Sequence, residues 1–233
     1  MTLSKSRISS LLIQLNSDVT EDAKRAVAEL DVLLYPNYGP GPRVFSAEES
    51  RRISDNHYGA IHGSEAIEPI LATTRHGTDF ARAYAVTVLG VIRDRRALPV
   101  LVEALGDAAP EVRMAATKGL WFFHDSSTIS ALVRVLEEDA VGEVRCSAAQ
   151  ALGFIRSVEA VPALMAFYEH GNSEAKVSVL HALGYIGDSR SLPLVRGALF
   201  DRIHVIRKAA KSALAQYDFK RRELLSPAGS KPV

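Results

Sequence analysis

From residue 64 onward, apolar residues recur at helical spacing in short bursts separated by polar turns. In "ARAYAVTVLGVIRD" (81–94), Ala85, Leu89 and Ile92 stand at i, i+4 and i+7. In "RRALPVLVEAL" (95–105), Leu98, Leu101 and Leu105 stand at i, i+3 and i+7. Both spacings place one apolar stripe on a helix, and neither fits the two-residue period of a strand. The pattern predicts a helix, a short turn, and a second helix.

The same pair then repeats. "VRMAATKGLWFFHD" (112–125), "VRCSAAQALGFIRS" (144–157), "AKVSVLHALGYIGD" (175–188) and "IRKAAKSALAQYDF" (206–219) align with 81–94. A basic residue recurs as Arg82, Arg113, Arg145, Lys176 and Arg207, and a leucine as Leu89, Leu120, Leu152, Leu183 and Leu214. Both series step by 31, 32, 31 and 31 residues, a phase that two independent marks would not share by chance. The second helices begin "RRALPVLVEAL", "STISALVRVL" (127–136), "VEAVPALMAFY" (158–168) and "SRSLPLVRGAL" (189–199). Pro99, Pro162 and Pro193 share one position there, with Ser130 in the remaining unit. A proline is tolerated in the first helical turn, where its missing N–H forfeits no helical bond. Each unit is therefore helix A, a turn, then helix B. Alanines crowd helix A (Ala115, Ala116, Ala148, Ala149, Ala209, Ala210), which permits close helix–helix approach. One hairpin cannot bury both of its faces, whereas stacked hairpins can. The fold class expected is all-α, an α-solenoid of about six to seven short hairpins.

The N-terminal part fits this pattern loosely. "IEPIL" (67–71) matches a B helix, "TEDAKRAVAEL" (20–30) an A helix, and "ISSLLIQL" (8–15) a preceding B helix that caps the stack. Between them, "YPNYGPGPRVF" (35–45) carries three prolines, two glycines and three aromatics, which marks a loop. The expected organisation is one solenoid domain over 1–217, followed by a polar tail over 218–233 whose last eight residues are expected to be disordered. Within the domain, 1–63 hold degenerate repeats and the 35–45 loop, and 64–217 hold the regular ones.

Charge narrows the partners. Lys+Arg number 28 against 27 Asp+Glu, without the basic excess of a general nucleic-acid binder. The single cysteine, Cys146, allows no intrachain disulfide and no CxxC framework. No apolar run approaches a membrane span of about 18–20 residues. The N-terminal run is broken by Ser and Gln and reads as an amphipathic helix, not a signal peptide. A cytoplasmic protein is the expectation.

The "VRxxAAxALGxIGD…AVPAL" pattern resembles HEAT repeats, in particular the short HEAT-like repeats of the phycobilisome lyase type. The resemblance covers about 64–217 clearly and 8–63 weakly, with a period shorter than the HEAT norm of about 40–47 residues. It implies a right-handed superhelix whose B helices line the concave face. It also implies a family holding bilin lyases, which often act as paired subunits, beside scaffolds and binding proteins. An open-chain bilin and a hetero-oligomer are thus expectations of the resemblance, and fold alone does not choose among these functions.

No constellation in the chain points to catalysis. There is no HExxH or HxxxH, no GxSxG elbow and no Gly-rich phosphate loop, so neither catalytic nor metal residues are assigned. The repeated His-Glu pairs of HEAT-repeat deoxyhypusine hydroxylases are absent. Trp121 with Asp125 falls short of the Trp/Asp/Arg set and basic face of HEAT-like alkylpurine glycosylases. Cys146 beside Arg145 reads as a buried small residue or as a thiol activated by that cation. Asp107, Asp139 and Asp201 stand six residues before Arg113, Arg145 and Arg207. This resembles the Asp/Arg ladder that ties HEAT units together. His76 and His170 interrupt it before Arg82 and Lys176.

What remains is binding without a resident cofactor. Val102, Val133, Met165 and Arg196 share one B-helix position, followed at the next by Glu103, Arg134, Ala166 and Gly197. The first row is either a groove for a protein or peptide partner or packing against the next repeat. In "GLWFFHDSS" (119–127), Phe123 takes the place of Ile92, Ile155 and Ile186 and is expected in the core, while His124 takes an exposed turn position. Trp121 replaces Gly90, Gly153 and Gly184, either as a volume swap in the core or as an aromatic anchor for a partner. In the Pro/Gly loop, Tyr38, Arg43 and Phe45 complete the candidate partner-binding set.

Overall fold

The computed structural model describes residues 5–16, 25, 26, 29 and 64–225, in two compact units that divide between Phe123 and His124. The first unit holds α1 (Lys5–Leu15), α2 (Ser64–His76), α3 (Asp79–Ile92), α4 (Leu98–Ala104) and α5 (Pro110–Phe123). The second holds α6 (Ile129–Glu138), α7 (Gly142–Ile155), α8 (Val161–His170), α9 (Ser173–Ile186), α10 (Leu192–Gly197) and α11 (His204–Leu225). No strand occurs among the described residues. The alternation of A and B helices follows the sequence register. One boundary differs: α2 starts five residues before Pro69, so that proline lies inside its helix, where Pro99, Pro162 and Pro193 open theirs.

The hinge of each hairpin is a backbone motif. Arg93, His124, Arg156 and Gly187 stand at one repeat position and all adopt positive φ, at 57°, 49°, 57° and 67°. Left-handed residues end helices by returning an N–H to the last-turn carbonyls, as Arg93 does to Leu89 and Gly187 to Leu183. The next residues, Asp94, Asp125, Ser157 and Asp188, accept a backbone N–H two or three residues on and so cap a short 3-10 turn. That turn delivers the chain into the B helix.

The repeated leucine forms the spine of each core: Leu89 and Leu120 in the first unit, Leu152 and Leu183 in the second, are wholly buried. The helix A glycines explain the close stacking. A Cβ on Gly90 would lie 2.4 Å from the Cα of Gly119, one on Gly153 2.5 Å from the Cα of Ala182, and one on Gly184 2.8 Å from the Cα of Ala213. Two backbones that close leave no room for a side chain. Helix α11 changes chemistry. Lys211 and Ala215 of α11 are exposed, whereas their counterparts Leu180 and Gly184 in α9 are buried.

Candidate partner-binding surface and the charged ladder

The ladder is built at the start of each A helix. Asp107, Asp139 and Asp201 turn their carboxylates to the backbone N–H two residues on, at 2.8, 2.9 and 2.8 Å. Arg113, Arg145 and Arg207 donate from Nη1 to the main-chain carbonyl of that Asp six residues earlier, at 2.9, 2.7 and 2.8 Å. Within these six-residue pairs, the bond therefore runs from the arginine to the carbonyl, while the carboxylate serves the backbone. A tie between successive repeats is made by Arg82. Its Nε and Nη2 hold both carboxylate oxygens of Asp107, 25 residues on, at 2.9 and 2.8 Å. Both side chains are largely buried, at 17% and 14% exposure. The Arg82 hydrogen bonds hold the Asp107 carboxyl below its usual range, against the opposing effect of burial.

The second unit departs from this arrangement. His170 stands 25 residues after Arg145, where Asp107 stands after Arg82. Arg145 lies over Phe167, its guanidinium carbon 5.6 Å from the ring centroid, and Lys176 places Nζ 5.3 Å from the ring of Tyr168. Cys146 is 6% exposed, and burial pushes its thiol up despite Arg145. Of the two readings of Cys146 the buried small residue fits, because burial disfavours the thiolate more than the nearby cation favours it.

Val133 and Met165, on the packed helices α6 and α8, are half-buried, and Arg196 on α10 is exposed. Arg134, Ala166 and Gly197 beside them are exposed. In the first unit Val102 is half-buried, and its neighbour Glu103 pairs with Arg75 at 3.2 Å. Trp121 is half-buried and stacks on Phe122, with centroids 5.5 Å apart. Its three glycine counterparts sit where even a methyl group collides. An indole cannot take up that approach. Phe123 is half-buried, as Ile92 and Ile155 are, so the full burial expected by position is reached only by Ile186. The reason is place: this position ends the last turn of helix A, at the rim of the core. His124 is exposed, as expected of a turn. Tyr38, Arg43 and Phe45 lie outside the described residues.

A feature absent from the candidate set is the end of the second unit. Phe200 is 86% exposed, Val205 50% and Ile203 44%. Arg196, Arg202, His204 and Lys208 around them are also exposed. The signal was present in the register: Phe200 replaces Gly106, Glu137 and Glu169, and Val205 replaces Glu111, Glu143 and Glu174. Among the described residues no group of three or more His, Cys, Asp or Glu side chains could hold a metal. None of the described helices is long and apolar enough to cross a membrane.

This architecture is that of a helical-repeat solenoid, and the HEAT-repeat family model matches residues 67–153 and 129–215. The chain belongs to the HEAT-repeat family. It is 43% identical over 63 residues to phycocyanobilin lyase subunit beta of Nostoc sp. strain PCC 7120. That match spans 27% of this chain and only 32% of the relative's length. Among solved structures, the complex of CpcE and CpcF of phycocyanin lyase from the same Nostoc strain aligns with a TM-score of 0.57 and 18% identity, over 93% of this chain and 78% of that one. A designed armadillo repeat protein in complex with the peptide (KR)4 aligns with a TM-score of 0.59 and 17% identity, over 90% and 99%. At these identities the two structures establish the solenoid fold.

Proposed function

We propose that the protein is a non-enzymatic scaffold that binds a protein or peptide partner on the B-helix side of its second unit. Phe200 carries the reading. It is 86% exposed where sister repeats hold glycine or glutamate, and it follows a row holding half-buried Val133 and Met165 and exposed Arg196. Large exposed aromatics beside arginine are the residue types that dominate binding energy at interfaces. The neighbouring cations favour a partner segment that is apolar and acidic. The peptide bound by the designed armadillo protein supports the fold as a peptide holder. Its cationic sequence is opposite to the one expected here. The working form is a cytoplasmic hetero-oligomer without a resident cofactor.

The test is a pull-down from native extract with the Val133/Met165→Glu protein and with Phe200→Glu, each against the unmodified chain. Both variants are expected to lose the partners that the unmodified chain captures. Unchanged capture by both removes the surface from consideration.

The identity to a phycocyanobilin lyase subunit favours a second reading, a bilin lyase-type subunit acting on phycobiliproteins with an open-chain bilin as cargo. Absorbance of a bilin mixed with the protein, alone and with a candidate partner subunit, tests it. No spectral change in either mixture eliminates this reading.

A further inference from the structure

The internal repeats supply a control for one unusual group. Arg82 and Arg145 occupy the same position, and each donates Nη1 to a backbone carbonyl at its own helix start, Gly77 at 2.9 Å and Asp139 at 2.7 Å. Arg82 gives its other edge, Nε and Nη2, to Asp107 as a bidentate pair. Arg145 gives that edge to no acceptor among the described residues, and its Nε is buried. The cause lies in the sequence: the residue that should carry the carboxylate is His170. An arginine stays charged at any physiological pH, so the edge cannot be silenced by losing a proton. The Phe167 ring lies beside it. His170 is exposed at the end of α8, and Phe167 and Tyr168 each face a cation, Arg145 and Lys176.

We propose that Arg145 is a carboxylate-recognition point, completed by an acidic side chain of the partner segment in the way Asp107 completes the pair with Arg82. The proposal rests on the partner-binding reading above and adds the chemistry of one anchor. A planar carboxylate meets the Nε/Nη2 edge of a guanidinium with two parallel hydrogen bonds, a geometry that a lysine cannot offer. The Phe167 ring lies 5.6 Å from the guanidinium carbon and flanks the incoming acid. The partner's acid then supplies the charge that the repeat itself lacks at residue 170.

The readout is the Nε–Hε signal of Arg145 in nitrogen-edited NMR spectra of the full chain, with Arg82 as internal reference. The probes are a capped Ala-Glu-Ala tripeptide, its Ala-Gln-Ala counterpart and glutarate, each taken to about 50 mM, where a one-anchor ligand of millimolar Kd saturates. The glutamate peptide is expected to shift the Arg145 signal toward that of Arg82, which is already paired, and to leave Arg82 unmoved. The glutamine peptide is expected to shift neither. In His170→Asp the signal should sit near the Arg82 position without any probe, and the titration should go flat.

Equal shifts with the glutamate and glutamine peptides, or no shift with either, overturn the proposal. So does an undiminished titration in His170→Asp. Saturation by glutarate at the same concentration as the glutamate peptide reassigns the point to free small carboxylates and refutes the partner-segment assignment. The signal reads Arg145 itself, whereas the pull-down reads Phe200 and the B-helix row, so failure of one is distinguishable from failure of the other.

Discussion

Replacing His170 by aspartate should stabilise the protein, contrary to the usual effect of a new charge near a core. The reference is the Arg82–Asp107 pair, bidentate at 2.9 and 2.8 Å between side chains 17% and 14% exposed. A hydrogen bond to a charged group contributes about 1.5–3 kcal/mol, and an unpaired buried donor costs about 1–3 kcal/mol. Desolvating the new carboxylate and losing whatever contact His170 makes consume part of that gain. A net gain of about 1–2 kcal/mol remains, or roughly 2–8 °C in the unfolding midpoint for a chain of this size. Thermal or urea unfolding followed by circular dichroism measures it.

The gain must also depend on pH. Arg82 holds the Asp107 carboxyl below its usual range, and Arg145 would hold down the carboxyl introduced by His170→Asp in the same way. A carboxyl whose folded pKa is depressed contributes its stability above the unfolded value, near 4, and loses it as pH falls through the folded value. The variant should therefore exceed the parent at pH 7 and converge on it at about pH 2. A midpoint at pH 7 no higher than the parent's refutes the account of Arg145. A gain that survives at low pH refutes the carboxylate as its source.

Three further outcomes test the fold and the surface. Gly153→Ala should lower stability by about 1–3 kcal/mol, because its Cβ would fall 2.5 Å from the Cα of Ala182 and α7 and α9 would have to part; a neutral result in urea unfolding contradicts that contact. Arg156→Gly should raise stability by about 0.5–1 kcal/mol, since φ of 57° strains a residue with a Cβ and glycine adopts it freely; a loss in the same assay would mean that the arginine side chain outweighs its backbone. Phe200→Glu should leave the unfolding midpoint within about 0.5 kcal/mol of the parent, because the ring is 86% exposed, while reducing partner capture; a large fall in stability would make Phe200 a packing residue.

Much of this molecule was legible in the order of residues. The phase shared by the basic residue and the leucine placed α3, α5, α7, α9 and α11, and the prolines placed three of the B helices; the A helix expected over 20–30 lies outside the fully described residues. The turn position of His124 followed from register alone, and the structure gives it the same left-handed backbone as Arg93, Arg156 and Gly187. The glycines of helix A were visible as a series, and Trp121 as its exception. Their meaning was not visible, because sequence reports neither how near two backbones come nor what a Cβ would strike. The ladder shows the same limit. Spacing paired each arginine with the aspartate six residues before it, and those two do meet, but through a carbonyl. The carboxylate that crosses between repeats lies 25 residues further on.

Sequence by itself determined the repeat, its period, the helix types and the absence of a recognisable catalytic motif, because those depend on local order and spacing. Tertiary structure alone decided which polar atoms are satisfied. Asp107 closes the edge of Arg82, while the histidine at the matching place leaves the edge of Arg145 without an acceptor among the described residues. It also decided that Phe200 stands in the open while the repeated leucines close the core. Burial and hydrogen bonding are properties of neighbours brought together by packing. Residues identical in type and register, such as these two arginines, acquire different chemistry only when the helices around them are in place.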